Sequence, residues 1–188
     1  IQQCNEPRQW GETEIGFLYL VATELQVNLQ PLGFQGERTL LANLSHKIGQ
    51  ASDKESIFRS ATKDARKLLK ADRVAVCQFR QDYSLEFIAE SKVANIASML
   101  GVVSADTYLQ EQEGGCFNQR QPFVLNNLES ATELSPCYAE LLADFDIQAC
   151  ALVGIFQGKK LWGMLAAYQH SGARHWQNND INLLTQVA

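Results

Sequence analysis

Thiols and imidazoles are the side chains in this 188-residue sequence best suited to covalent chemistry or metal binding. There are five cysteines and three histidines, and no two cysteines form the C-x-x-C pair of a zinc or redox site. An odd number of irregularly spaced cysteines also argues against a disulfide framework. We therefore predict reduced, mostly buried thiols in a cytoplasmic protein, and no metal site. The residues concerned are Cys4, Cys77, Cys116, Cys137, Cys150, His46, His170 and His175.

Catalytic constellations are weak in this sequence. Asp64, Asp72 and Asp82 are separated by turns and strands, so they share no face on which a pair of carboxylates could work as acid and base. Ser45-His46 lacks an identifiable third group for a nucleophilic dyad. Gly114-Gly115 lacks the strand–turn–helix context of a phosphate-binding loop. We therefore predict that the protein is not an enzyme.

Charge and hydropathy exclude two further classes of protein. The formal net charge is -5 and no basic stripe is visible, so the electrostatic signature of a nucleic-acid binder is missing. The longest uncharged apolar run, Cys150 to Gln157, is far too short to cross a bilayer. With 46% hydrophobic and 20% charged residues, the composition is that of a soluble domain with a sizeable core.

The two ends of the sequence resemble each other at a constant offset. Trp10 and Trp176 are 166 positions apart, each is preceded two residues earlier by an arginine, and each is followed by apolar residues at helical spacing. A period of this length suits a whole domain rather than a solenoid repeat. We therefore interpret residues 1–36 as the C-terminal helix of a preceding domain plus a linker, and 37–188 as a second domain. The matching apolar positions are Ile15, Leu18, Val21 and Ala22 against Ile181, Leu184, Val187 and Ala188.

The elements that would position these residues alternate between helices and hairpins. Helical periodicity begins at Glu37 and again after Ser52, whose hydroxyl and Glu55 form a capping box. Two period-two hairpins and two further helices follow, with an irregular stretch from Lys92 to Asn127 and a four-residue loop at Gln157–Lys160. This order predicts an α+β fold with an antiparallel sheet. The predicted strands are Asp72–Phe79, Leu85–Ser91, Ala149–Phe156 and Leu161–Tyr168, and the late helices are Tyr138–Phe145 and the one after Trp176.

Three segments carry a resemblance to a known family. Leu161–Gln169 followed by Gly172–Trp176 resembles the C-terminal signature of GAF domains in phytochromes and cyanobacteriochromes. Asp72–Val76 resembles their first strand, and Ser135–Tyr138 their short helix with the bilin-attachment cysteine. The resemblance implies a sheet of about six antiparallel strands flanked by helices, with long N- and C-terminal helices. It also implies a tandem-GAF signalling protein of cyanobacteria, either a chemoreceptor or a histidine kinase.

The same resemblance assigns roles to residues around a linear tetrapyrrole such as phycocyanobilin. Cys137 falls on the thioether-forming position, and Asp106 on the carboxylate that accepts hydrogen bonds from the pyrrole N–H groups. Tyr108 stands where one subgroup has a second cysteine, so we do not expect a two-cysteine photocycle. Arg120 is the remaining candidate, displaced in sequence, for the arginine that meets a propionate.

Two tyrosines stand where the family has histidines. Tyr138 follows the attachment cysteine, and Tyr168 lies late in the last hairpin strand. A tyrosine cannot become cationic, so each replacement deprives a propionate of a charge-assisted hydrogen bond worth about 1.5–3 kcal/mol. We therefore expect a module without a covalent chromophore, and the bilin-bound photosensory domain is the alternative.

The expected function is sensing and signal relay. The first and last helices would pass a small packing shift between flanking domains of the same chain, in a homodimer formed by these helices. A pocket for another small molecule, such as a cyclic nucleotide, ranks last because Arg120 alone offers its phosphate a cation. The segment is expected to lie in the cytoplasm, within a larger receptor that can itself be membrane-anchored.

Overall fold

The computed structural model describes residues 54–131 and 134–188. The predicted helix of a preceding domain within residues 1–36, the helix from Glu37 and the start of the capping box at Ser52 lie outside this range. Cys4, Trp10 and His46 lie outside it too. These expectations remain predictions.

One six-stranded antiparallel sheet organises the described residues. The strands pair in the order β3-β2-β1-β6-β5-β4, and every neighbouring pair is antiparallel. This architecture, with helices on the sheet, confirms the predicted α+β class. The strands are β1 Arg73–Phe79, β2 Leu85–Lys92, β3 Val103–Ser104, β4 Phe123–Leu125, β5 Ala149–Gln157 and β6 Lys160–Gln169.

Four α-helices and two short 3-10 helices complete the described chain. The helix predicted from Tyr138 begins two residues earlier, because Pro136 takes the first helical position and the Ser135 hydroxyl accepts a hydrogen bond from the Tyr138 amide. The helices are α1 Lys54–Leu69, α2 Thr107–Glu111, α3 Pro136–Asp144 and α4 Asn178–Val187, with 3-10 turns at Gly115–Gln119 and Leu128–Ser130.

The structure corrects the expected connections in two places. The stretch predicted as irregular contains β3 and β4, which have two and three residues and so are too short to show a period-two pattern. The expected four-residue loop between β5 and β6 is a two-residue turn, because Gln157 and Lys160 pair across the strands. Gly158 occupies a left-handed conformation in this turn, with φ +64.

Each face of the sheet is covered by a different set of elements. On the helix face, α1 and α4 cover alternating small and branched side chains, and Trp176 is 5% exposed. On the opposite face, which we call the cavity face, side chains of the other parity pack under α2 and α3. The helix-face strand residues include Val74, Val76, Ala151, Val153, Leu165 and Ala167, and those of the cavity face include Ala75, Cys77, Cys150, Leu152, Met164 and Tyr168.

A buried ion pair fixes the connection between β2 and β3. Arg73 Nε lies 3.5 Å from Glu90 Oε2, and the two side chains are 0% and 4% exposed. The Arg73 guanidinium also donates to the Ala97 carbonyl, and Glu90 Oε2 accepts from the Met99 amide. Because both charges are anchored to this loop, Met99 is held with no exposed surface in the cavity-face core.

His170 is a titratable group that folding shields from water. Neither ring nitrogen reaches solvent. Burial, and then the positive charge of Arg73, lower the pKa of His170 below its ordinary value of 6.5, while the Phe145 backbone, Asp72 and Asp146 act in the opposite direction. The folded protein therefore takes up this proton less readily than the unfolded chain.

We expect the free energy of unfolding to decrease as the pH falls below about 6.5, since the unfolded chain then binds a proton that folded His170 resists. Urea unfolding between pH 7.5 and 5.5 should show this decrease for the wild type and a smaller one for His170→Asn. His175, which is exposed, provides the control: His175→Asn should follow the wild-type curve. Equal slopes for the wild type and His170→Asn would contradict the assignment.

Candidate functional site

A cavity of about 660 Å³ lies between the cavity face of the sheet and the segment that runs from α2 to the start of α3. We call it the main cavity. Its wall is mostly apolar and aromatic, with one carboxylate. The lining residues are Asp106, Tyr108, Leu109, Cys116, Phe117, Pro122, Phe123, Leu134, Ser135, Tyr138, Leu152 and Met164.

Glycines shape one side of the main cavity. Gly114 and Gly115 have φ +94 and +58, so the chain turns sharply between α2 and the following 3-10 helix. A Cβ on Gly115 would lie 2.5 Å from the Tyr108 ring, and one on Gly114 would overlap the Leu161 side chain. These two positions therefore need glycine for conformation and for space, which is the loop role that their sequence suggested.

Asp106 connects the helices on either side of the main cavity. Its side chain is 2% exposed, and Oδ1 accepts a hydrogen bond of 3.0 Å from the Leu109 amide, which caps α2. Oδ2 accepts from the Ser135 hydroxyl, and that hydroxyl in turn accepts from the Tyr138 amide at 3.2 Å to cap α3. A single carboxylate thus stabilises the N-termini of two helices that lie 29 residues apart in sequence.

The two tyrosines at the expected histidine positions lie at different depths. Tyr138 forms part of the cavity wall, with its ring centroid 6.1 Å from that of Phe123 and its oxygen 3.9 Å from Cys150 Sγ. Tyr168 lies behind the wall with no exposed surface. Burial raises the pKa of both phenols well above 10, so both are neutral.

Cysteines occupy two different positions near the main cavity. Cys137, on the first turn of α3, is half-buried and lies in sequence between the wall residues Ser135 and Tyr138, but it is not itself a wall residue. Cys116 is a wall residue that the sequence did not single out as a site. Burial raises the pKa of the Cys116 thiol, which keeps it protonated at neutral pH.

Arg120 is not brought to the main cavity. It is exposed, its guanidinium lies 3.8 Å from the centroid of the Phe156 ring, and Nη2 donates to the Gly158 carbonyl at 3.3 Å. It borders a smaller cavity of about 320 Å³ instead. Among the described residues that line the main cavity there is no lysine, arginine or histidine, so Asp106 is the one ionisable carboxylate in a wall without a cation.

Residues 54–131 and 134–188 contain neither a membrane-spanning helix nor a cluster of metal-binding side chains. No helix there is long and apolar enough to span a membrane. No group of three or more histidine, cysteine, aspartate or glutamate side chains is placed to hold a metal ion.

We expect Ser135→Ala to lower the free energy of unfolding by about 1–2 kcal/mol, the cost of losing a helix cap. The change also removes a hydrogen bond from a buried carboxylate, which places the result at the upper end of that range. Ser130→Ala is the control, since Ser130 is exposed and donates only to the Asn127 carbonyl; its effect should stay within about 0.5 kcal/mol. Urea unfolding measures both, and equal losses would contradict the shared cap.

Known proteins resemble this chain at the levels of sequence and fold. A putative methyl-accepting chemotaxis protein of Synechocystis is 30% identical over 98% of the chain, and the chain spans about a fifth (19%) of that relative's length. The far-red-absorbing dark state of a domain with bound biliverdin is 39% identical, with a TM-score of 0.73; the match covers 79% of this chain and 92% of that one. The red-light-absorbing state of a red/green cyanobacteriochrome is 41% identical, with a TM-score of 0.65 and coverages of 72% and 89%.

The family model for the GAF domain matches residues 53–188. This range contains the sheet, the main cavity and α1 to α4. The fold, the match and the neighbours agree with the resemblance seen in three short sequence segments. The chain therefore belongs to the GAF domain family, and its structural neighbours are the GAF domains of cyanobacteriochromes and phytochromes.

Proposed function

We propose that this GAF domain is the sensory and relay module of a cyanobacterial signalling protein, and that its main cavity binds a linear tetrapyrrole linked to Cys137. The observation that carries the proposal is the main cavity itself. Tyr138 and Tyr168 leave about 660 Å³ open next to the helix that carries Cys137, rather than filling it. Domains 39% and 41% identical to this chain are a biliverdin-bound domain and a red/green cyanobacteriochrome. We assign the module no catalytic role.

The residues of the cavity fit the central part of such a chromophore. The aromatic and apolar wall suits a conjugated ring system, and Asp106 is the buried acceptor that pyrrole N–H groups require. A carboxylate has about four lone-pair sites. Two hydrogen bonds to protein donors therefore leave Asp106 acceptor capacity. Once bound, the chromophore would supply the absorption of light.

Cys137 has the position and the chemistry for attachment. It lies on the first turn of α3, next in sequence to the wall residue Tyr138, and its half-buried thiol is accessible enough to react. The propionates have no cation in the described wall, so they would stay hydrated at the cavity mouth and add little affinity. Tyr108, which is 50% exposed at this cavity, offers them a hydroxyl.

A second candidate is a relay module without a covalent chromophore, as the sequence led us to expect. The observation that favours it is electrostatic: two neutral tyrosines, with no cation among the described residues of the wall, make a poor site for a dianion. The hydrogen bonds that Asp106 accepts at the starts of α2 and α3 are also a sufficient reason for a buried carboxylate at this position, without any ligand. In this case the main cavity would hold a neutral ligand or water.

Coexpression of the chain with enzymes that make phycocyanobilin or biliverdin distinguishes the two candidates. We expect a band with zinc-induced fluorescence on a denaturing gel, and its complete loss in Cys137→Ala, because no other thiol lies on α3. Cys116→Ala is the matched control, since it removes the thiol in the cavity wall. That variant should keep the band.

Two other outcomes of the coexpression experiment would contradict the attachment site or the chromophore itself. A band lost in Cys116→Ala and kept in Cys137→Ala would contradict the assigned attachment site. Absence of any band in the wild type would favour the second candidate. The combined change Tyr138→His and Tyr168→His should then restore binding if the missing cations are the cause.

We further propose that the domain works as a homodimer through the helix predicted within residues 1–36 and the last helix, α4, with α1 adding to the interface. Partly exposed apolar side chains remain on α1 and α4 after they have packed on the sheet, and such side chains gain by burial in a partner. They are Ile57, Phe58, Leu68, Ile181 and Val187.

Light scattering should give the mass of a dimer for the whole chain and a smaller mass after removal of residues 1–36. The reason is that the segment to be removed carries the same apolar helical pattern as α4 and would add to the interface. A monomer in both cases would contradict the proposal.

A further inference from the structure

Arg174 contacts three elements, and one of them, α1, lies more than one hundred residues earlier in the chain. Nη2 donates to the Leu69 carbonyl at 2.7 Å, in the last turn of α1. Nη1 donates to Gln169 Oε1 at 3.2 Å, at the end of β6. Nη2 also lies 3.3 Å from Asp180 Oδ2, in the first turn of α4. One guanidinium therefore connects α1, the sheet and α4.

The surroundings of Arg174 hold its side chain in this position. The guanidinium carbon lies 4.1 Å from the centroid of the Trp176 ring, and this ring is part of the helix-face core. Backbone bonds fix the segment as well, because the Arg174 amide donates to the Asn126 carbonyl and the Trp176 amide to the Asn126 side chain. Arg174 and Asp180 are only 20% and 21% exposed, so solvent weakens their attraction less than at an open surface.

The same residue is connected with the cavity face. Gln169, which accepts from Arg174, follows Tyr168 on β6 and donates through Nε2 to Asp72 Oδ2 at 2.8 Å. Successive residues of a strand point to opposite faces, so Tyr168 lies behind the main cavity and Gln169 on the side of the helices. A displacement of the end of β6 would therefore move the Gln169 side chain, which is hydrogen-bonded to Arg174.

We propose that Arg174 is a positioning residue that couples α1 to α4 and both to the end of β6, so that the helices shift together with the sheet. The planar fork of an arginine suits this task, because one side chain can donate to carbonyls of α1 and to a carboxylate of α4 at once. The coupling is a property of the folded chain and does not depend on a chromophore in the main cavity. A failure of the coupling proposal is therefore distinguishable from a failure of the chromophore proposal, because the coupling is tested in the protein without a chromophore.

The sequence contains the same set of residues a second time. Arg8, Trp10 and Glu14 each stand 166 positions before Arg174, Trp176 and Asp180. The repeat thus has an arginine, a tryptophan and a carboxylate at the same spacing in sequence. Only the apolar helix pattern would be expected if these residues had no shared role.

Hydrogen exchange of the whole chain tests the proposal. In Arg174→Gln we expect amides in the last turn of α1 and in α4 to exchange at least tenfold faster, with β5 unchanged. Arg59→Gln is the matched control, since Arg59 also pairs with a carboxylate, Glu55, at 2.8 Å, but only within α1. This control should leave α4 unchanged. Faster exchange in α4 alone would contradict a coupling of both helices.

A second measurement separates coupling from simple loss of stability. Gln186→Gly loosens the exposed side of α4, and in the wild-type background it should also speed exchange at the end of α1. In the Arg174→Gln background this remote effect should disappear. An equal remote effect in both backgrounds would show that the helices communicate by direct packing, and would overturn the proposal. If Arg174→Gln does not fold, Arg174→Lys serves, because it keeps the charge but not the fork.

Discussion

The burial of both faces of the two central strands is the constraint on which this structure depends. β1 and β6 are paired with each other and flanked by further strands, so any element that packs on them must choose the helix face or the cavity face. Their contact is close at Gly163, where a Cβ would overlap the Cys77 carbonyl of β1. Small residues on both faces, such as Ala75, Ala166 and Ala167, then let the helices on one face and the cavity wall on the other approach the sheet. Because β1 and β6 are paired in this way, the main cavity and the helices α1 and α4 lie on opposite faces of the sheet.

On the cavity face, the Asp106 carboxylate combines a structural role with a proposed role in ligand binding. Asp106 stabilises α2 and α3 through hydrogen bonds with the Leu109 amide and the Ser135 hydroxyl, and in the function proposed above it would also accept hydrogen bonds from a tetrapyrrole. The carboxylate has enough lone pairs for both roles, but its position must satisfy both at once. Any ligand donor that draws the carboxylate away from Ser135 would weaken the cap of the helix that carries Cys137. Binding and the order of that helix are thereby linked.

Sequence reasoning was most successful where local chemistry determines the structure. The hairpins of β1–β2 and β5–β6 and the helical pattern of α3 were predicted from residue type and spacing, since each depends on neighbours in sequence. β3 and β4 were missed because they exist only through pairing with β2 and β5. Arg120 was grouped with the cavity by its position in sequence, whereas its stacking on Phe156 takes it elsewhere. Cys116 gave no signal, because the sharp turn at Gly114 and Gly115 that brings it to the wall is a matter of tertiary geometry.

The sheet also separates two kinds of evolutionary change. The residues that line the main cavity lie on one face, and the helices and the Arg174 contacts lie on the other, with the backbone of six strands between them. A substitution in the cavity wall can therefore alter the shape and polarity of the main cavity without touching α1 and α4 directly. A lineage can therefore remodel the main cavity and still inherit the packing of α1 and α4 on the other face.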